Sequence, residues 1–272
     1  VLAYVPLLAN DAGRLAADTK AYLYLDPARL LARAPYMWQP EFGLGTVTHQ
    51  NIGYLWPIGP FFLAGEVVGL PDWVVQRLWL GSVLLGAGLG VRWFLRTLGW
   101  KGGGVLVASL AYMLSPYLLN YVDRHSVILL PWAGLPWLLA LVQRSLRTPG
   151  WRHPAIFGLV TLTIGGVNAS SLLLVGLGPV VWLVWSGLDR SAPWRRVVAT
   201  TWRIGVVFVV TGLWWMVGLA VQAAHGLPTL RLTENYRVVS DAATAPELFR
   251  GLGYWYFYGQ GRLGAWVEPA TS

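Results

Sequence analysis

Asp18, within Ala-Ala-Asp18-Thr19-Lys20, is an acid nine residues past the short apolar stretch that opens the chain. A carboxylate there can take a proton from a hydroxyl brought within about 3 Å, provided its surroundings hold its pKa near the working pH. Asp also opens helices well, so capping a helix over 19–25 is the structural alternative. Gln76 and Arg77 occupy the first turns of a long apolar run. A guanidinium there can grip a phosphate through two parallel hydrogen bonds, or can simply snorkel to ordinary head groups. Glu66 sits in strongly apolar sequence, and with Asp72 it offers Arg77 a structural counter-charge.

His49, Gln50 and Asn51, followed by Tyr54 and Trp56, set hydrogen-bonding tips beside flat rings, a composition suited to sugars. Membrane-interface aromatics account for the same residues. His125 lies in the polar knot Asp123-Arg124-His125, and Asn168 in Gly165-Gly166-Val167-Asn168-Ala169-Ser170. Each can border a polar cavity or merely form a turn. Asp26 before Pro27 reads as a helix cap, with proline at the first helical position. The 4 histidines show no i, i+4 pairing and the chain has no cysteine, so the sequence supports no metal site and no thiol nucleophile. Phosphate-loop, dinucleotide and nucleophile-elbow patterns are missing, and Lys101-Gly102-Gly103-Gly104 reads as a turn.

The elements that position these groups follow from composition. Of 272 residues, 56% are hydrophobic and 12% charged, with mean hydropathy +0.52, whereas soluble domains carry about 25% charge. The bilayer must therefore be the solvent for most of the chain. Net charge is +8 and the pI about 10.0, but the cations are almost all Arg scattered singly between apolar spans, which fits membrane topology and not a nucleic-acid surface.

Crossings are expected at 73–99, 103–121, 126–142 and 198–222. The run 154–187 is too long for one span of about 20 residues and is interrupted at 165–170, so it reads as two short helices. Residues 1–9 read as the end of a truncated first span. The expectation is an all-α polytopic domain over 1–222 with about seven crossings. An extracytoplasmic segment, 223–272, follows and begins a region that is not included.

Arg92, Arg96 and Lys101, then Arg144, Arg147 and Arg152, then Arg190, Arg195, Arg196 and Arg203 fall at alternate loops. By the positive-inside rule those loops are cytoplasmic, which leaves every acid except Asp189 outside or at the outer edge. The outer face then holds the long first loop, 10–72, the turns near 123 and 168, and the C-terminal stretch. Within the first loop GYLWPIGPFFLAGEVVGLP, broken by Gly and Pro, reads as an interfacial or re-entrant piece.

This order of features resembles the GT-C class of polyprenyl-phosphate-dependent glycosyltransferases. The blocks ADTKAYLYLDPARLLARA, HQNIGYLWPIGPFFLAGEVVGLPDWVVQRLW, LAYMLSPY, GGVNAS and PELFRGLGYWYFYG, in that order, resemble the N-terminal membrane region of actinobacterial cell-wall α-(1→3)-arabinofuranosyltransferases, type D. The resemblance implies decaprenylphosphoryl-arabinofuranose as donor and the arabinan of arabinogalactan or lipoarabinomannan as acceptor. It also implies an inverting reaction on the extracytoplasmic side of the plasma membrane, with Asp18 as general base.

Gln76 and Arg77 are the donor-phosphate candidates by position, and His49, Gln50, Tyr54, His125 and Asn168 the substrate-binding candidates. Some GT-C relatives use a divalent cation, which the resemblance leaves open. The alternatives are another GT-C enzyme, such as a mannosyltransferase, and a lipid or glycan transporter. The transporter would need acids near the membrane midplane, where this chain has none.

Overall fold

The computed structural model describes residues 1–16, 22–41, 44–47, 51–122, 126–226, 240, 245–249, 260–261 and 264–265. The chain opens with three short helices, α1 (Val5–Ala9), α2 (Tyr22–Leu25) and α3 (Pro27–Arg33). Asp26 caps α3 as its sequence context predicts, its Oδ1 accepting the Arg29 N–H at 2.9 Å. A 3-10 turn (Ile52–Leu55) and α4 (Ile58–Val67) follow. The 10 residues of α4 make a rod of about 15 Å, half a bilayer core, consistent with the interfacial expectation.

The bundle comprises α5 (Asp72–Thr97), α6 (Gly103–Met113), α7 (Pro116–Tyr121), α8 (Ser126–Arg147), α9 (Arg152–Gly165), α10 (Ala169–Leu188) and α11 (Trp194–His225). Among the described residues, α5, α8, α10 and α11 are long and apolar enough to cross a membrane. The other expected crossings are shorter. The 14 residues of α9 reach about 21 Å. The run 103–121, expected as one span, is divided at Leu114–Ser115, because proline pushes the residue before it out of the helical region. Ser115 accordingly sits at φ −62°, ψ 146°, and its Oγ caps the Leu118 N–H. The break read at 165–170 is present between α9 and α10. Beyond α11 lie α12 (Ala245–Phe249) and a two-stranded antiparallel pairing of Gln260–Gly261 with Gly264–Ala265.

Two features tie α5 to α8, its parallel neighbour. Gly90 of α5 leaves room for the Trp137 indole, and a Cβ there would stand 2.5 Å from Trp137 Nε1. That same Nε1 donates to the Gly86 carbonyl at 2.9 Å. Small residues of this kind let apolar helices approach closely where lipid removes the usual hydrophobic driving force.

α8 carries Pro131 and Pro136. Pro136 has no N–H to give the carbonyl of Trp132, four residues earlier. The Tyr112 hydroxyl of α6 replaces it, donating to the Trp132 carbonyl at 3.0 Å while the two rings stack at 3.7 Å. Tyr112→Phe is therefore expected to lower the thermal stability of the full-length protein in detergent by about 1–2 kcal/mol, the cost of an orphaned buried carbonyl. An unchanged unfolding midpoint would show that this carbonyl has another donor.

Arg144 and Arg147 of α8 and Arg196 of α11 gather at one end. Arg144 Nε donates to Thr97 Oγ1 at 3.4 Å, with the guanidinium 5.1 Å from the Trp93 ring, and Arg147 Nη1 donates to the Thr97 carbonyl. Arg196 Nη1 reaches the Leu146 carbonyl at 3.3 Å. Cations thus meet the carbonyl ends of α5 and α8, where the helix dipole favours them. The opposite end holds Asp72, the α9–α10 break, and the 3-10 turn.

Candidate active site

At the acidic end, the first turns of α5 fasten the segment that leaves α1. Gln76 is fully buried, its Oε1 accepting the Ala16 N–H at 2.8 Å and its Nε2 donating to the Ala16 carbonyl at 2.9 Å. A carboxamide carries both the acceptor and the donor needed to bind the N–H and the C=O of one residue in this way. Arg77 Nη2 donates to the carbonyls of Asn10 and Asp11, at 2.9 and 3.1 Å, and its guanidinium lies 5.5 Å from the Trp73 ring. Arg77 is 7% exposed, and its Nε is buried without a hydrogen-bond partner. The ion pairs formed among the described residues, Arg29 and Arg33 with Glu41, do not involve it.

Farther along the bundle, α5, α8 and α9 leave a cavity of about 440 Å³, lined by Trp79, Val83, Leu130, Trp137 and Ile164, with Ser82 and Thr163 as its polar points. Trp79, which borders the cavity, lies one helical turn beyond Gln76 on α5. Trp79 Nε1 donates to Ser126 Oγ at 3.4 Å, and Tyr4 of the α1 region pairs with Ser82 at 3.1 Å. The first loop closes the far side, where Pro57 joins the lining and Trp56 Nε1 donates to Thr163 Oγ1 at 3.2 Å.

The 3-10 turn also locks onto the α9–α10 break. A Cβ on Gly53 would stand 2.1 Å from the Gly166 carbonyl oxygen, and one on Gly166 would meet the Trp214 ring at 2.7 Å. Two glycines let two backbone segments and the Trp214 ring meet here. The indole N–H groups of Trp214 and Trp215 are buried beside this contact without partners. Val47 bridges to Gly226 at the end of α11, which draws the first loop across the same end of the bundle.

The sequence candidates divide accordingly. Asp18, His49, Gln50 and His125 lie outside the described residues. Gln76, expected at a donor phosphate, has its amide on the Ala16 backbone with no exposed surface, so its observed task is to hold that segment. Tyr54, expected to face a sugar, is 7% exposed and packed in the hydrophobic core, because the Gly53–Gly166 approach presses the 3-10 turn inward. Asn168 caps α10, its Oδ1 accepting the Ser171 N–H at 2.8 Å, and lies next to the contact with the first loop. Among the described residues, no three His, Asp or Glu side chains gather as metal ligands would. The groove itself was not anticipated. Its one sequence signal is the Gly81-Ser82 pair with Gly86, Gly88 and Gly90, which thins α5 where α1, α6 and α8 approach.

Residues 2–271 match the family model described as the α-(1→3)-arabinofuranosyltransferase N-terminal GT-C domain. The α-(1→3)-arabinofuranosyltransferase of Mycobacterium tuberculosis is 33% identical over 254 residues, which cover 91% of this chain and 18% of that protein. The enzyme of the same name from Mycolicibacterium smegmatis is 34% identical over 254 residues, covering 91% and 17%. In three dimensions the chain is similar to the cryo-EM structure of arabinofuranosyltransferase AftD from mycobacteria, with TM-score 0.74, 28% identity, and coverage of 82% of this chain and 17% of that one. The chain thus spans less than a fifth of the length of the relatives it matches.

Proposed function

Because the chain belongs to the family of N-terminal GT-C domains of α-(1→3)-arabinofuranosyltransferases, we propose that it is the donor-binding and catalytic part of such an enzyme. The substrates are decaprenylphosphoryl-arabinofuranose and the arabinan of arabinogalactan or lipoarabinomannan. The reaction takes place on the extracytoplasmic side of the plasma membrane, at the acidic end of the bundle.

The observation that carries this reading is the clamp of Gln76 and Arg77 on residues 10–16, on the same helix, α5, that borders an apolar cavity. Ala16 is two peptide units before Asp18, so covalent geometry keeps their Cα atoms within about 7.6 Å. The cavity is chemically suited to an isoprenoid chain, and Arg77, which has no acidic partner among the described residues, offers a cation to the phosphate. Asp18 takes the proton of the acceptor hydroxyl as its oxygen bonds to the anomeric carbon from the face opposite the phosphate. The carbon–phosphate-oxygen bond breaks, the lipid phosphate leaves with the electron pair, and the configuration inverts. Since the leaving group arrives activated, the protein's tasks are alignment, one proton transfer and charge stabilisation.

The test is a transfer assay with the full-length enzyme, comparing radiolabelled lipid-phosphate arabinofuranose with lipid-phosphate mannose. Incorporation of arabinose alone is expected. Transfer of mannose in preference would assign the chain to a different sugar.

A further inference from the structure

The outer loop carries a second hollow, on residues that neither the clamp nor the groove uses. Residues 33–41 curve around a space of about 520 Å³ bordered by Arg33, Tyr36, Trp38, Gln39 and Glu41. Tyr36 and Trp38 are 70% and 58% exposed, although both are large and partly apolar.

These groups are held in place by the local backbone. Gln39 and Thr46 exchange N–H···O=C bonds of 2.9 and 3.1 Å, closing the loop into a narrow hairpin. Inside it, Gly45 has φ +101°, and a Cβ there would stand 2.1 Å from Trp38 Cζ2, so the indole rests against a bare glycine. Glu41 receives a hydrogen bond from Arg33 and has Arg29 Nη2 at 3.8 Å. The Arg33 hydrogen bond, opposed by desolvation and helped by the charges of Arg33 and Arg29, holds the Glu41 carboxyl below the usual carboxylate range. So exposed an ion pair adds little stability. It does fix a fork of donors and a carboxylate at the edge of an aromatic surface.

A flat ring of limited rotamer freedom beside a few oriented polar groups suits a ligand with apolar faces and a hydroxylated rim. A sugar chain has that character. We propose that the hollow bounded by Tyr36, Trp38, Gln39 and the Arg33–Glu41 pair is an acceptor subsite that binds a pentofuranose-rich glycan by stacking on Trp38. The identity of the glycan rests on the proposed function, whereas the existence of the subsite does not.

The experiment is a saturation-transfer NMR titration of the full-length enzyme in nanodiscs with a synthetic α-linked arabinofuranose hexasaccharide and no donor. Trp38→Ala is expected to weaken binding about tenfold, the worth of one good ring contact. Trp38→Phe should retain most of the affinity. Tyr36→Ala, at a position away from the Gly45 contact, supplies a second variant should Trp38→Ala disturb the hairpin, and a similar loss is expected. In turnover the same variants should raise the acceptor KM and leave the donor KM unchanged.

Trp38→Leu keeps an apolar side chain for membrane contact and removes the stacking face. Affinity retained in Trp38→Leu as fully as in Trp38→Phe would overturn the proposal in favour of an interfacial anchor. Unchanged binding in both alanine variants, or no binding by the wild type, would overturn it outright. Preference for a mannose oligosaccharide with the same dependence on Trp38 would support the subsite while overturning the arabinofuranosyl reading.

Discussion

Asp18→Asn in the full-length enzyme is expected to abolish transfer from the lipid-linked donor, with turnover falling by about three orders of magnitude, within the range a positioned general base supplies. The amide keeps the size of the side chain and much of its hydrogen bonding but cannot accept the acceptor's proton at neutral pH. Donor binding, measured separately with the lipid phosphate, should change little, since the proposed contribution is confined to the chemical step. Turnover at the wild-type rate would remove Asp18 from the mechanism. Comparable loss of donor affinity and rate would instead make it a binding residue.

Arg77 should show the second large effect, and here the structure separates two roles. Arg77→Ala removes a buried cation and leaves the carbonyls of Asn10 and Asp11 without the donor they have now. A lost hydrogen bond to a charged group costs about 1.5–3 kcal/mol, so an affinity for lipid phosphate that depends on this side chain should fall by roughly tenfold to a hundredfold. Arg77→Lys should recover part of it, because an ammonium supplies the charge but not the planar fork. The check is donor KM measured beside thermal stability. If stability falls in Arg77→Ala while apparent donor affinity holds, Arg77 is purely a fastening for the first loop and the phosphate role is refuted.

Gln76 illustrates how a residue can stand out in the sequence while its partner does not. Its place in the outer turn of a spanning helix marks it as polar where polarity is costly, and the sequence yields that much. Its partner is the peptide of Ala16, 60 positions away, and no periodicity links the two. Tyr54 shows the reverse case. Its aromatic and polar neighbours suggest a sugar contact, yet the backbone contact between Gly53 and Gly166 turns it into the core. The apolar run 103–121 reads as a single rod, whereas Pro116 divides it into α6 and α7.

The sequence by itself determined the solvent, the helical class, the alternation of charge between the two ends, the interruption at 165–170 and the family resemblance. All of these depend on residues close together in the chain, through transfer free energy, backbone hydrogen bonding that lipid cannot satisfy, and the local effects of Gly, Pro and Asn. Only the tertiary structure decided that α5 holds residues 10–16, that α5, α8 and α9 leave an apolar groove, and that the 3-10 turn rests on the α9–α10 break. Those outcomes depend on which small residues on distant helices meet and which carbonyls remain for a side chain to reach. Close packing settles such matters in three dimensions, and a one-dimensional pattern does not encode them.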